Sequence, residues 1–92
     1  MPKATDANQA AIVEALRHCG ATVHSLHAVG QGCPDLLVGF RGVNYLMEIK
    51  DGSKTASRRK LTPAQVDWHQ AWNGQVTIVN SIDEALELIG AI

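Results

Sequence analysis

The stretch GCPDLLVGFRGVNYLMEIKDG, from Gly32 to Gly52, decides the fold of this chain. Two apolar runs flank a short Arg-Gly sequence, which predicts a β-hairpin. A two-residue type I′ loop needs positive φ at both positions, which suits the glycine and suits Arg41 poorly. A four-residue loop would give the same strand pairing, whereas a three-residue bulged loop would shift it by one residue. Pro34 cannot donate to a sheet ladder and therefore fits the start of the first strand.

Charged residues stand at the open end of this hairpin. With the turn centred on Arg-Gly, Asp35 faces Glu48, and directly opposed Cβ atoms lie about 4.5–5.5 Å apart. Alternation along the strand puts Lys50 on the same side as Glu48. Because two facing carboxylates repel, we expect a divalent cation bound by both acids, with the backbone carbonyl of Ile49 as a further ligand and Lys50 beside it. The alternative is a solvated salt-bridge cluster, the commoner fate of surface charges.

Basic residues are concentrated directly after the hairpin. Of the eight Lys and Arg residues, five fall between Lys50 and Lys60 with one acid among them, so this segment carries +4 while the whole chain carries −1. From Asp67 to the end there are acids but no Lys or Arg. A basic segment in an otherwise acidic chain indicates an anion site. It could run along a phosphate backbone, or it could be a mobile, solvated loop.

Length and composition bound the class of protein. The 92 residues predict one domain, 1–92, with a thin core that self-association would help to stabilise. With 46% hydrophobic and 18% charged residues, the chain is not of the disordered class. Two isolated cysteines and a polar start favour a reducing, cytoplasmic location. No apolar run is long enough to span a bilayer, so no membrane partner is expected.

Hydrophobic periodicity predicts the element order α-β-β-β-α-β-α, a mixed sheet with flanking helices and hence an α/β (α+β) fold. The first helix is expected over 7–19 with Asp6 as its N-cap, and the first strand over 21–29. Thr62 and Gln65 predict a capping box at the start of the middle helix.

The last helix follows the short strand QVTIV, and its start carries a second capping signature at Ser81 and Glu84. The histidines predict no shared metal site. His24 and His27 point to opposite faces of a strand, and His18 and His69 are isolated in the sequence.

Three short motifs resemble those of the VRR-NUC family, the virus-type replication-repair nucleases of the PD-(D/E)XK superfamily. In chain order the motifs are Gly32-x-Pro34-Asp35, Glu48-Ile49-Lys50 and Leu61-Thr62-x-x-Gln65. The resemblance extends from the first helix to the last strand, and the small single-domain form is similar to the phage-encoded members. It implies a restriction-endonuclease-like core.

The resemblance also implies a site for Mg²⁺ or Mn²⁺. The residues that match metal ligands of the family are Asp35 and Glu48, with the backbone carbonyl at Ile49. The residue matching Lys50 positions or activates the attacking water. An acid of the first helix often completes the site in this family, and Glu14 is the candidate here; a solvated helix carboxylate is the alternative.

Gln65 matches a family motif residue close to the site, and this is compatible with its capping role. Four residues of the basic segment are expected to bind phosphates of the DNA backbone without reading bases. These residues are Lys54, Arg58, Arg59 and Lys60.

The function implied by the resemblance is metal-dependent cleavage of DNA. Stand-alone members resemble homodimeric enzymes that resolve four-way (Holliday) junctions. If this protein is phage-encoded, it would act in the cytoplasm of a bacterial host cell. Two alternatives remain: a nuclease acting on flapped, nicked or linear DNA, and a DNA-binding module that keeps the fold without cutting.

Overall fold

The computed structural model describes residues 8–92 and has the predicted order of elements. The elements are α1 (Gln9–His18), β1 (Thr22–Ser25), β2 (Leu36–Phe40), β3 (Val43–Ile49), α2 (Pro63–Ala71), β4 (Thr77–Val79) and α3 (Ile82–Leu88), with a short 3₁₀ turn over Ala56–Arg59. The expected N-cap Asp6 lies outside the described residues. Asn8 occupies the N-cap position of α1, and its amide donates to the carbonyl oxygens of Lys50 and Asn80 at 2.8 and 3.2 Å.

One mixed, four-stranded sheet has the order β1-β2-β3-β4. β2 pairs antiparallel with β1 and with β3, and β4 runs parallel to β3. The hairpin has the predicted register, with Leu36 opposite Met47 at its open end. Its loop has two residues and is of type I′, because Arg41 and Gly42 have φ angles of 51° and 80°. The Arg41 guanidinium lies 4.8 Å over the ring of Phe40, which helps to offset the strain of that backbone angle.

β1 is shorter than expected and ends at Ser25 rather than near residue 29. The reason lies in its partner strand: Ser25 pairs with Leu36, the first residue of β2, and Pro34 cannot extend that ladder. The chain therefore turns after Leu26, whose N–H donates to the carbonyl of Asp35.

The hydrophobic core lies between one face of the sheet and the helices α1 and α3. Ile12 and Leu16 of α1 are fully buried at i, i+4, and Ala85 of α3 is buried beside them. The sheet contributes buried side chains from β2, β3 and the edge strand β4: Leu36, Val38, Met47, Ile49 and Val79. Within residues 8–92, no helix has the length and hydropathy needed to cross a membrane.

The opposite face of the sheet is covered by α2, but only near the end of β3. Residues 47–50 are all buried, although a strand with one solvated face alternates between buried and exposed residues. The side chain of Met47 enters the core, and that of Glu48 points the other way and contacts Gln65 of α2. Both faces of β3 are therefore closed at this end, where the charged residues lie.

Candidate active site

A chain of buried polar side chains lies where α2 covers the end of β3. Glu48, Lys50 and Gln65 are 1%, 9% and 5% exposed. The amide oxygen of Gln65 accepts a hydrogen bond from Nζ of Lys50 at 3.0 Å, and its amide nitrogen donates to Oε2 of Glu48 at 3.2 Å. Gln65 thus bridges the acid and the base. Charged groups are rarely buried without such partners, so the bridge stabilises both in this position.

The same glutamine also caps α2, as predicted. Its Oε1 accepts from the backbone N–H of Thr62 at 2.9 Å, and its own N–H donates to the Thr62 hydroxyl at 3.2 Å. Oε1 of Gln65 therefore accepts hydrogen bonds from both the Thr62 N–H and the Lys50 ammonium, which orients the amide so that its NH₂ group faces Glu48. The start of the helix and the candidate site share this one side chain.

Asp35 lies just before β2 and departs from the expected geometry. The ladder ends at Leu36 and Met47, so Asp35 does not form a regular cross-strand pair with Glu48. Instead its N–H donates to the carbonyl of Met47 at 3.1 Å, and its Oδ2 accepts from the N–H of Ile49 at 2.7 Å. The chain leaves the ladder here after Pro34, which has no N–H. The carboxylate is thereby held against the peptide of Ile49, next to the predicted carbonyl ligand.

Gly32 brings the Asp35 segment and α2 together. Its φ is +82°, and a Cβ at this position would lie 2.2 Å from the carbonyl oxygen of Ala64 in the first turn of α2. Only glycine fits both the left-handed backbone and this close approach. The turn before Asp35 therefore packs directly on the helix that carries Gln65.

The thiol of Cys33 lies near both acids. Burial raises its pKa, and the nearby carboxylates of Glu48 and Asp35 raise it further. A thiol with a raised pKa is largely protonated at neutral pH, which disfavours the nucleophilic thiolate form.

His69 lies at the site, although its isolation in the sequence predicted no role. Its Nε2 is 3.5 Å from Oε1 of Glu48, and its side chain is 15% exposed. Burial lowers the pKa of His69, and the charge of Lys50 lowers it further, so the imidazole is neutral at neutral pH. The signal was present in the spacing, because position 69 follows Gln65 by four residues and shares its helix face.

The basic segment is a loop whose two ends meet at the site. The loop follows Lys50, directly after the end of β3, and ends at Thr62, the N-cap of α2. The hydrogen bond between Lys50 and Gln65 therefore links the two elements that flank the loop. Three of its predicted phosphate ligands are exposed: Lys54, Arg58 and Lys60. The fourth, Arg59, is half-buried, and its Nε makes no hydrogen bond within the described part of the chain.

Glu14 is the candidate metal ligand of the first helix. It is exposed on α1 and lines a shallow cavity with four other residues of that helix: Gln9, Ala10, Val13 and Arg17. Its part in the site stays a prediction.

Over residues 8–92 the architecture is that of a nuclease-type α/β domain: a mixed four-stranded sheet, three helices and the order α-β-β-β-α-β-α. Among solved structures, the chain matches a protein described as "VRR_NUC domain" with a TM-score of 0.66 and 30% sequence identity. The match covers 89% of this chain and 89% of that chain. Comparison with protein-family models gives no match, and comparison with curated proteins gives none either.

Identity at this level over most of both chains shows the family, and the chain belongs to the VRR-NUC family. It is therefore a nuclease-type domain, and DNA is the class of partner that goes with it. Nuclease domains of this family generally use divalent metal ions.

Proposed function

We propose that this chain is a divalent-metal-dependent, structure-selective DNA endonuclease whose site is built from Asp35, Glu48, Lys50 and Gln65. The observation that carries the proposal is the buried Glu48–Gln65–Lys50 bridge beside Asp35. An acid and a base buried next to each other in a thin, 92-residue fold are costly for stability, and such groups cluster at functional sites.

The donor set fits a hard cation with few protein ligands. Among residues 8–92, no three or more His, Cys, Asp and Glu side chains are grouped to hold a metal. A site with so few protein ligands does not suit structural zinc, which takes four of them. It suits Mg²⁺ or Mn²⁺, because Mg²⁺ binds one or two carboxylates and keeps several waters. The carboxylates of Asp35 and Glu48, with the carbonyl of Ile49, would hold the ion. When bound, such an ion polarises a phosphate oxygen and lowers the pKa of a coordinated water.

Lys50 would act on the phosphate itself. Its ammonium is held by Gln65, so it is positioned before substrate arrives and stabilises negative charge that develops on the phosphoryl oxygens. Lys50 would also orient the attacking water. In-line attack forms a new P–O bond and breaks the bond to the 3′ oxygen, which takes up a proton. The products are a 5′-phosphate and a 3′-hydroxyl.

The basic loop would bind the DNA next to the cut. Because the residues that flank the loop are joined at the site, phosphates bound along it would lie close to Lys50. The Nε of Arg59 is buried without a hydrogen-bond partner among the described residues, and a phosphate oxygen would satisfy it. Such contacts bind the DNA backbone without recognising the base sequence.

The proposed substrate is a four-way junction, cut by a homodimer. One domain carries one site, and a two-fold dimer presents two, which suits paired nicks on opposite strands. The motif resemblance to stand-alone family members supports this finer assignment.

The test compares four-way, flapped, nicked and linear DNA in the presence of Mg²⁺, Mn²⁺ or EDTA. We expect the four-way junction to be cut fastest, and cleavage in EDTA would contradict the metal requirement. Asp35→Asn and Lys50→Ala should abolish cutting while DNA binding persists, and Asp67→Asn, an exposed acid on α2, is the matched control. Fastest cutting of another substrate would replace the junction assignment, and a monomer by sedimentation would remove the dimer.

The loop is tested by the salt dependence of binding. Replacing Arg58 and Arg59 by alanine should reduce the slope of log K against log[salt] by about 0.9 per lost phosphate contact. Arg41→Ala, at the far end of the hairpin, is the control and should leave the slope unchanged. Equal slopes for all three proteins would show that the loop is only solvated.

A further inference from the structure

Two residues of α2 face the two oxygens of one carboxylate. Gln65 donates to Oε2 of Glu48 at 3.2 Å, and Nε2 of His69 lies 3.5 Å from Oε1. Residues at i and i+4 lie one above the other on a helix, so Gln65 and His69 of α2 each approach one of the two carboxylate oxygens of Glu48. A carboxylate has about four lone-pair positions, so these two contacts do not by themselves exhaust what it can bind.

The ring of His69 is held by its neighbours. It meets Trp68 edge-to-face, with centroids 6.0 Å apart and planes at 72°. Trp68 in turn stacks on Trp72 at 4.8 Å and 20°, and the Trp72 indole donates to the carbonyl of Gln75. Packing against this row of rings limits the motion of the imidazole, whose Nε2 lies 3.5 Å from Oε1 of Glu48. A fixed donor of this kind is what orients a ligand group in a metal site.

We propose that His69 is a positioning residue that donates its Nε2–H to Oε1 of Glu48 and, together with Gln65, sets the plane of that carboxylate for metal binding. The inference rests on the proposed metal site. The observed 3.5 Å separation exceeds an ordinary hydrogen bond, and hydrogen bonds of this type are often long before the complex forms and tighten in it.

Sequence reasoning assigned no role to this histidine. A group next to a metal ligand acts through that ligand, so its removal weakens metal binding without touching DNA directly. Loss of such a partner typically costs about 10–100-fold in metal affinity. Glutamine places an amide nitrogen about where Nε2 lies, whereas asparagine is too short to reach.

The experiment measures Mn²⁺ binding to the DNA-free protein by calorimetry, with melting temperature recorded for every variant. We expect His69→Ala and His69→Asn to bind Mn²⁺ about 10–100-fold more weakly than the wild type, and His69→Gln to bind within a few-fold of it. His18→Ala, an exposed histidine on α1, is the control and should bind normally. If His69→Ala does not fold, the comparison of the Gln and Asn variants decides the matter.

The outcomes separate the two proposals. A wild type that does not bind Mn²⁺ overturns the proposed metal site and this inference together. A wild type that binds while His69→Asn binds equally well overturns the inference alone. Equal weakening by Asn and Gln also overturns it, because donation from the Nε2 position would then not matter.

A metal-free readout comes from ¹⁵N NMR of the imidazole. We expect His69 to carry its proton on Nε2, and Glu48→Gln to shift that nitrogen while leaving His18 unchanged. A proton on Nδ1 instead would overturn the proposed donation.

Discussion

The two ends of the β2–β3 hairpin belong to the same pair of strands but have different surroundings. At the closed end, Arg41 and Gly42 are exposed and Val43 is 49% exposed. At the open end, residues 47–50 are buried, including a glutamate and a lysine. The strand itself does not make this difference. α1 and α3 pack on one face of the sheet, and α2 closes the other face only at the open end, so the candidate site exists because a helix buries charges that would otherwise be solvated.

The largest effect should come from removing core volume at the open end. Met47 is fully buried, so Met47→Ala should lower the free energy of unfolding by about 2–5 kcal/mol. Val43→Ala, in the same strand at the closed end, should cost less than about 1 kcal/mol, because that side chain is half in solvent. Urea denaturation followed by circular dichroism measures both. Equal losses would mean that the two ends are not differently packed.

Two glycines with nearly the same backbone angle sharpen the comparison. Gly32 and Gly42 have φ of +82° and +80°, and a Cβ would meet the Ala64 carbonyl at Gly32 but nothing within 4 Å at Gly42. Both alanine variants should lose about 1–2 kcal/mol from left-handed strain. Gly32→Ala should lose about 1–3 kcal/mol more, because α2 must move.

The same pair of variants separates stability from activity. Moving α2 displaces Gln65 from Glu48 and Lys50, so Gly32→Ala should cut DNA poorly even at a temperature where it is folded, and Gly42→Ala should cut normally. Stability curves and cleavage rates measured side by side give the answer. Full activity in Gly32→Ala would show that the contact with α2 does not set the site.

The smallest effect is expected from the two helix caps. The hydroxyls of Thr62 and Ser81 accept from the N–H groups of Gln65 and Glu84 at 3.2 and 3.1 Å. Either change to alanine should cost about 1 kcal/mol. Only Thr62→Ala should also slow cleavage, since its cap shares Gln65 with the site. If Ser81→Ala slowed cleavage as much, the effect would reflect general loss of stability rather than the position of Gln65.

Sequence patterns predicted the local features well, because each depends on residues close in the chain. The hairpin register and the capping box at Thr62 were confirmed, as was the order of elements. The capping signature at Ser81 was half right. Ser81 accepts from Glu84, but the Glu84 carboxylate accepts from the N–H and the side-chain amide of Asn80 rather than from Ser81.

The prediction was wrong where partners come from distant segments. β1 ends early because β2 begins late, and Asp35 leaves the ladder to accept from Ile49. His69 was treated as isolated although it follows Gln65 by four residues, because its contact with Glu48 spans 21 positions of the chain and no local pattern shows it.

By itself the sequence determined the elements, the hairpin that carries the acids and the lysine, and the start of the helix that carries Gln65, because turn chemistry, periodicity and capping act over a few residues. Only the tertiary structure decided which side chains are buried together. The contact of Gln65 with Glu48, 17 residues apart, and the close approach of Gly32 to α2 depend on how the helix packs on the sheet, and no local pattern specifies that packing.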